Sequence, residues 1–359
     1  MITTILLFLA GLAILILGAD LLVRGASRLA AAFGVSPLAI GLTVVAIGTA
    51  SPEIAVSLHA AASGQGDLML GNVLGSNIFN ILFILGITAL VAPIVIAEQL
   101  IRQDAPIMLG ISLLVFAFAL DGRFGHLDGA VLIIGLIVYT IFALRQSRRE
   151  SRAVQREYAQ EFAAKEPRTA RNIIVNLLFI SVGLGLLVQG SVWLVNSATQ
   201  IASALGVSEL IIGLTIVAAG TSLPEVATSV IAAFKGESDI AVGNAVGSNI
   251  FNLLGVLGIG SIVAPDGIAV TGRALAFDFP AMVFVAMVTL PVFYIDSHIS
   301  RLEGGLLFAY FLLYMTYIVT DAMNSPAFPG VALFAALFIP LTFIVLVAFA
   351  VRSARSKRA

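Results

Sequence analysis

Two glutamates stand where a charged side chain is expensive to keep. Glu53 closes the segment GTASPE (Gly48 to Glu53) and Glu225 closes GTSLPE (Gly220 to Glu225), each inside a long apolar stretch. A charge at the centre of a membrane span costs about 2.5–3.5 kcal/mol even on insertion-based scales. Two such residues at matching positions point to function, although a glutamate at a half-helix N-terminus also offsets the positive end of the helix dipole. In both segments proline removes a backbone donor and glycine weakens the helix. Carbonyls just before Pro52 and Pro224 are therefore expected to leave the helical ladder and to serve as oxygen ligands. Such backbone is tolerated at membrane depth only inside protein or beside a wet cavity.

The span after each glutamate carries a second motif, GNVLGSNIFN (Gly71 to Asn80) and GNAVGSNIFN (Gly243 to Asn252). Asn72, Ser76 and Asn80 fall four apart and form one polar stripe on a helix, and Asn244, Ser248 and Asn252 repeat it. The paired glycines one turn apart allow close helix approach. With Glu53 and Glu225, the hydroxyls of Thr49, Thr221, Ser222, Ser76 and Ser248 and the amides of Asn80 and Asn252 make an all-oxygen set. Hard cations such as Ca²⁺ take six to eight oxygen ligands, whereas transition metals favour imidazole or thiolate. There is no cysteine, and His59, His126 and His298 do not cluster along the chain. Two formal negative charges are balanced by one Ca²⁺, by two or more Na⁺, or by protons. Competition for one charge set is the physical basis of exchange.

The elements that must position these groups are membrane helices. The 359 residues are 60% hydrophobic and 11% charged, with mean hydropathy +1.08, far from the composition of a soluble domain. The apolar N-terminus lacks a basic leader region and a small-residue cleavage site, so it reads as a retained first span. About 20 apolar residues cross a bilayer of about 30 Å. Windows of that kind fall at roughly 3–32, 36–63, 67–92, 103–120, 126–145, 172–204, 208–235, 239–264, 273–295, 301–321 and 328–351, eleven spans in all. A polar loop, 145–171, separates a first half (1–144) from a second (172–321), and 328–351 is an additional C-terminal helix. That loop carries eight of the nineteen basic residues. Placing it in the cytoplasm puts seventeen of the nineteen inside, the N-terminus outside and the C-terminus inside.

The halves repeat one another. Residues 36–54 match 208–226 at 12 of 19 positions and residues 67–86 match 239–258 at 12 of 20, both without a gap and at an offset of 172. The repeats therefore span 36–86 and 208–258. Five spans separate each element from its copy, and an odd number of crossings inverts the copy. The expected fold is an all-α polytopic membrane protein, an inverted 5+5 repeat plus the C-terminal helix. Inverted repeats place a substrate site at the bilayer midplane and allow alternating access.

These paired motifs resemble those of the Ca²⁺/cation antiporters, specifically the bacterial and archaeal sodium/calcium exchangers, over the ten spans to about residue 321. The resemblance implies Glu53 and Glu225 as central Ca²⁺ ligands, Thr49, Thr221, Ser76 and Ser248 as ligands of flanking Na⁺ sites, and Asn80 and Asn252 completing the centre. Two positions depart from the archaeal pattern: Ala50 replaces a serine and Asn252 an aspartate. The resemblance implies exchange of Ca²⁺ for Na⁺, with H⁺/Ca²⁺ antiport or K⁺-dependent Na⁺/Ca²⁺ exchange as alternatives.

From the residues alone a cation channel stays open. No nucleophile–base pair or HExxH motif suggests an intramembrane enzyme. The expected partners are inorganic cations and the lipid bilayer of a plasma (inner) membrane, with no cofactor, nucleic acid or protein partner. Asp20 and Arg24 are spaced as an i, i+4 pair, Asp67 and Asp239 are expected to cap their helices, and Asp278 has no evident counterpart.

Overall fold

A computed structural model describes residues 2–147, 169–206, 216 and 218–356. In chain order its helices are α1 (Ile2–Phe33), a bent pair α2 (Pro37–Thr49) and α3 (Ser51–Ala62), α4 (Gly66–Val91), α5 (Leu100–Ala119), α6 (His126–Gln146), α7 (Ala170–Ala204), α8 (Leu223–Phe234), α9 (Ser238–Val263), α10 (Ala274–Tyr294), α11 (Arg301–Ala322) and α12 (Phe328–Ser353). Among the described residues, nine of these are long and apolar enough to cross a bilayer, and the bent pair makes a tenth span. The remaining expected span, 208–235, is described mainly by α8, and residues 207–215 and 217 lie outside the described residues. So does most of the basic loop, residues 148–168.

The span expected at 36–63 breaks at Ala50, where α2 and α3 meet at 52°. Pro52 cannot donate to the carbonyl of Gly48, one helical turn back. The Ser51 hydroxyl donates to that carbonyl instead, at 2.6 Å. In the second half Pro224 deprives Gly220 in the same way, and the Ser191 hydroxyl of α7 donates to the Gly220 carbonyl at 2.6 Å. Both carbonyls thus leave the helical ladder, as expected, and each accepts one hydroxyl while a carbonyl oxygen carries two lone pairs.

The inversion is visible in α1 and α7. Gly11, Gly18 and Gly25 face Gly190, Gly183 and Asn176, so the numbers rise along one helix as they fall along the other. The two helices are antiparallel. A Cβ on Gly18 would come 2.8 Å from the Gly183 carbonyl oxygen, and a Cβ on Gly183 would come 2.8 Å from that of Gly18. At the offset of 172, Gly11 and Gly18 are the counterparts of Gly183 and Gly190. Each glycine thus packs against the copy of the other, as a twofold axis in the membrane plane requires.

Two short antiparallel strand pairs join the halves outside the helices. β1 (Ile94–Val95) pairs with β4 (His298–Ile299), and β2 (Arg123–Phe124) pairs with β3 (Ile268–Ala269). Ion pairs agree with this grouping of loops by face. Asp20 binds both Arg24 (2.8 Å) and Lys235 (2.5 Å), Arg273 binds Asp321 (3.1 Å), and Ser353 at the end of α12 bonds Asp296 (3.0 Å) beside β4. Loops that the charge distribution assigns to one face meet only loops of that face in these contacts.

The centre is formed by α4 and α9, whose most apolar windows are 78% and 83% buried, against 28% for α1 and α7 and 6% for α12. A single π-helical segment interrupts each central helix, at Asn80–Leu85 and Asn252–Val256, again 172 residues apart. The expected capping by Asp67 and Asp239 is corrected: both lie in the first turn, behind Gln65 and Glu237 at the cap positions, where no side-chain capping bond forms. Their charge still faces the positive end of the helix. Asp278 does have a counterpart. Asp104 and Asp278 close π-helical segments Leu100–Asp104 and Ala274–Asp278, each followed by a proline two residues on. Tyr139 donates to Asp104 at 3.1 Å, and Tyr314 stands near Asp278.

Candidate functional site

Glu53 and Glu225 begin the two half-helices α3 and α8 and are 2% and 1% exposed. Pro52 and Pro224 sit in the same first turns, where a missing N–H costs nothing because that donor has no helical partner. The start of each half-helix therefore places a carboxylate at the positive end of a helix inside the protein. The two carboxylates face a shared interior and lie near enough for the charge of one to bear on the other.

Hydrogen bonds from each half reach the glutamate of the other. Ser222, three residues before Glu225, donates to Glu53 Oε1 at 2.7 Å and stands 3.4 Å from the Ser76 hydroxyl. Thr49, four residues before Glu53, donates to Asn244 Oδ1 at 3.0 Å. Asn244 in turn donates to the Glu225 carbonyl at 3.3 Å and to Ser229 at 3.1 Å. Asn72 makes the matching pair, to the Glu53 carbonyl at 3.3 Å and to Ser57 at 2.9 Å. Thr221 lies beside the Glu53 carboxylate and Thr49 beside that of Glu225. Across the central crossing, Asn80 donates to Asn249 Oδ1 at 3.0 Å.

Of the nine residues expected in the site, eight are buried, and Thr221 is half-buried with its hydroxyl oxygen enclosed. Hydrogen bonds link Glu53, Ser222 and Ser76 directly, and link Thr49 to Glu225 through Asn244. Ser248 and Asn252 come from α9, whose Asn252–Val256 turn packs on α3 and α4. Four residues escaped sequence reasoning. Ser57 and Ser229 anchor Asn72 and Asn244, and a signal was present, since both follow their glutamate by four residues. Asn77 and Asn249 sit within the repeated motif but off its four-residue stripe.

Several enclosed oxygens have no hydrogen-bond partner: Glu53 Oε2, Glu225 Oε2, Thr221 Oγ1, Ser248 Oγ, Asn77 Oδ1, Asn80 Oδ1 and Asn252 Oδ1. Leaving one buried polar group unsatisfied costs about 1–3 kcal/mol, more for a charged one. A ligand that takes oxygen donors from several sides would satisfy such groups together. A dehydrated hard cation is a ligand of that chemistry. Among the described residues no group of three or more His, Cys, Asp or Glu could hold a metal, so the charge of the site rests on this carboxylate pair.

A family model described as sodium/calcium exchanger protein matches residues 3–145 and 175–320. The chain belongs to the sodium/calcium exchanger family. Among its relatives, CaxA of Alkalimonas amylolytica is 39% identical over 270 residues, covering 74% of this chain and 83% of that protein. Sodium/calcium exchanger MaX1 of Methanosarcina acetivorans is 30% identical over 300 residues, covering 75% and 85%. The solved structure of the sodium-calcium exchanger NCX_Mj, soaked with zero Na⁺ and Ca²⁺, matches with TM-score 0.76 and 29% identity over 88% of this chain and 99% of that one. This is a multi-pass transporter family whose cargo is inorganic cations, and its fold is the one described above. The exchanger match ends before α12, which lies outside the repeated core.

Proposed function

We propose that this chain is a secondary active antiporter that exchanges Ca²⁺ for Na⁺ by alternating access at the interface of the two halves. Glu53 and Glu225 hold Ca²⁺ at the centre with Asn80 and Asn252. Thr49, Thr221, Ser222, Ser76 and Ser248 serve Na⁺ on either side. The observation that carries this reading is the set of enclosed, partnerless oxygens around two carboxylates that start inverted half-helices. The name of the relative MaX1 adds support for Na⁺ as the coupling ion. The chain sits in the plasma (inner) membrane with its N-terminus outside and the basic loop and C-terminus in the cytoplasm.

H⁺/Ca²⁺ antiport is the second reading, and one observation favours it. Ala50 occupies the position equivalent to Ser222, so Glu225 lacks the hydroxyl that Glu53 receives. Together with the uncharged Asn252, this leaves fewer ligands for Na⁺. Purified protein in vesicles decides between them. Ca²⁺ uptake should follow an imposed outward Na⁺ gradient at constant pH. Uptake that ignores Na⁺ and follows a pH gradient overturns Na⁺ coupling in favour of protons.

A further inference from the structure

The hydrogen bonds at the central crossing break the twofold relation between the halves, and they break it in one direction. At the offset of 172, Asn77 corresponds to Asn249 and Asn80 to Asn252. The bond from Asn80 Nδ2 to Asn249 Oδ1, 3.0 Å, would under exact symmetry have a mate from Asn252 Nδ2 to Asn77 Oδ1. The bond from Asn249 Nδ2 to the Asn77 carbonyl, 3.1 Å, would have a mate from Asn77 Nδ2 to the Asn249 carbonyl. Neither mate forms. Asn77 Nδ2 turns back to the Val73 carbonyl of its own helix at 2.7 Å, and Asn77 Oδ1 and Asn252 Oδ1 are buried without a partner.

The same direction appears beside the carboxylates. Thr49 donates to Asn244, while its copy Thr221 makes no bond to Asn72, the copy of Asn244. Asn244 is fully buried, whereas Asn72 is only half-buried. The residues at each pair of positions are identical, so side-chain chemistry does not forbid the missing bonds. The two halves differ in conformation. In a transporter built from inverted repeats, the halves exchange conformations when the site opens to the opposite face. The bonds missing here are the ones that exchange would create.

We propose that Asn77 and Asn249 are paired positioning residues that trade roles during transport. In the state described here Asn249 orients Asn80, and in the opposite-facing state Asn77 orients Asn252. The inference rests on the antiport reading for its second state. Each amide stabilises one access state, so removing one tilts the balance toward the other by about fivefold, the weight of one net buried hydrogen bond.

The test compares Asn249→Ala, Asn77→Ala and the double variant in vesicles of known orientation, reading the half-saturating Ca²⁺ concentration at each face. The ratio of the two values should move about fivefold in one direction for N249A and about fivefold in the other for N77A. The double variant should return near the wild-type ratio. A purely structural role would move both single variants the same way or leave the ratio unchanged, and either result overturns the proposal. A second measurement needs no transport. The chain has no cysteine, and Gly71, in α4, is exposed while its copy Gly243 is buried, so that a Cβ there would come 3.0 Å from the Leu38 carbonyl oxygen. Thiol labelling of a Gly71→Cys reporter should slow in the N249A background and quicken in the N77A background; equal rates in both overturn the role exchange. Wild-type protein that carries Ca²⁺ without needing a cation on the far side would strike the antiport reading instead.

Discussion

Glu53 and Glu225 are held by local rules that work against the lipid environment. Each carboxylate gains a helix N-terminus and nearby hydroxyl groups, yet each keeps one oxygen enclosed and unpartnered. Glu53→Gln and Glu225→Gln keep the shape of the side chain and remove its charge. Ca²⁺ exchange should be lost in both, while the thermal midpoint in detergent holds or rises, because a buried charge no longer has to be accommodated. Near-normal exchange in either variant would remove that residue from the site. Ala50→Ser supplies the hydroxyl that Glu225 lacks, and the Na⁺ concentration for half-maximal Ca²⁺ release should fall severalfold. A rise or no change would mean that position 50 does not serve Glu225. The nine residues proposed for the site could be named from the sequence because each lies in a motif that recurs in the other half. Asn249 could not, because its partners Asn80 and Asn77 lie 169 and 172 residues away in a crossing that only the fold creates.

At the scale of elements, the bends and the close contacts follow different rules. The break at Ala50 was legible from Gly48 and Pro52, since proline removes a donor whatever surrounds it. The π-helical turns at Asn80 and Asn252 were not legible, because such turns are rare and neither proline nor a charge marks them in the sequence. The counterpart of Asp278 was missed for a simpler reason: Asp104 lies 174 residues before it, two beyond the offset that governs the motifs. Packing of α1 on α7 gives the sharpest stability test. Gly18→Val places a Cβ 2.8 Å from the Gly183 carbonyl oxygen. Backbone cannot move aside cheaply, so overpacking should cost about 1–3 kcal/mol. Gly185→Ala, on the same α7 but with no described atom within 4 Å of the new Cβ, should be neutral or slightly stabilising. Thermal unfolding of the two variants in detergent checks the contrast, and equal effects would contradict the antiparallel glycine contact.

The whole molecule divides into a repeated core and an appended helix. α12 carries none of the nine site residues and touches the core through Tyr310 with Thr342 and through Asp296 with Ser353. Ending the chain after Asn324 should therefore leave the exchange rate per folded molecule within about twofold, while lowering the thermal midpoint through loss of those bonds and of apolar burial. Loss of exchange in a well-folded truncation would give α12 a part in transport. The central claim is that one carboxylate pair takes Ca²⁺ from either face in turn. Tracer exchange tests it without assuming a coupling ion: vesicles containing the purified protein are loaded with unlabelled Ca²⁺ or with none, and entry of radiolabelled Ca²⁺ is followed. The account predicts rapid entry only when Ca²⁺ waits inside, and none in Glu53→Gln or Glu225→Gln; equal entry with and without internal Ca²⁺, or undiminished exchange in either variant, would contradict it.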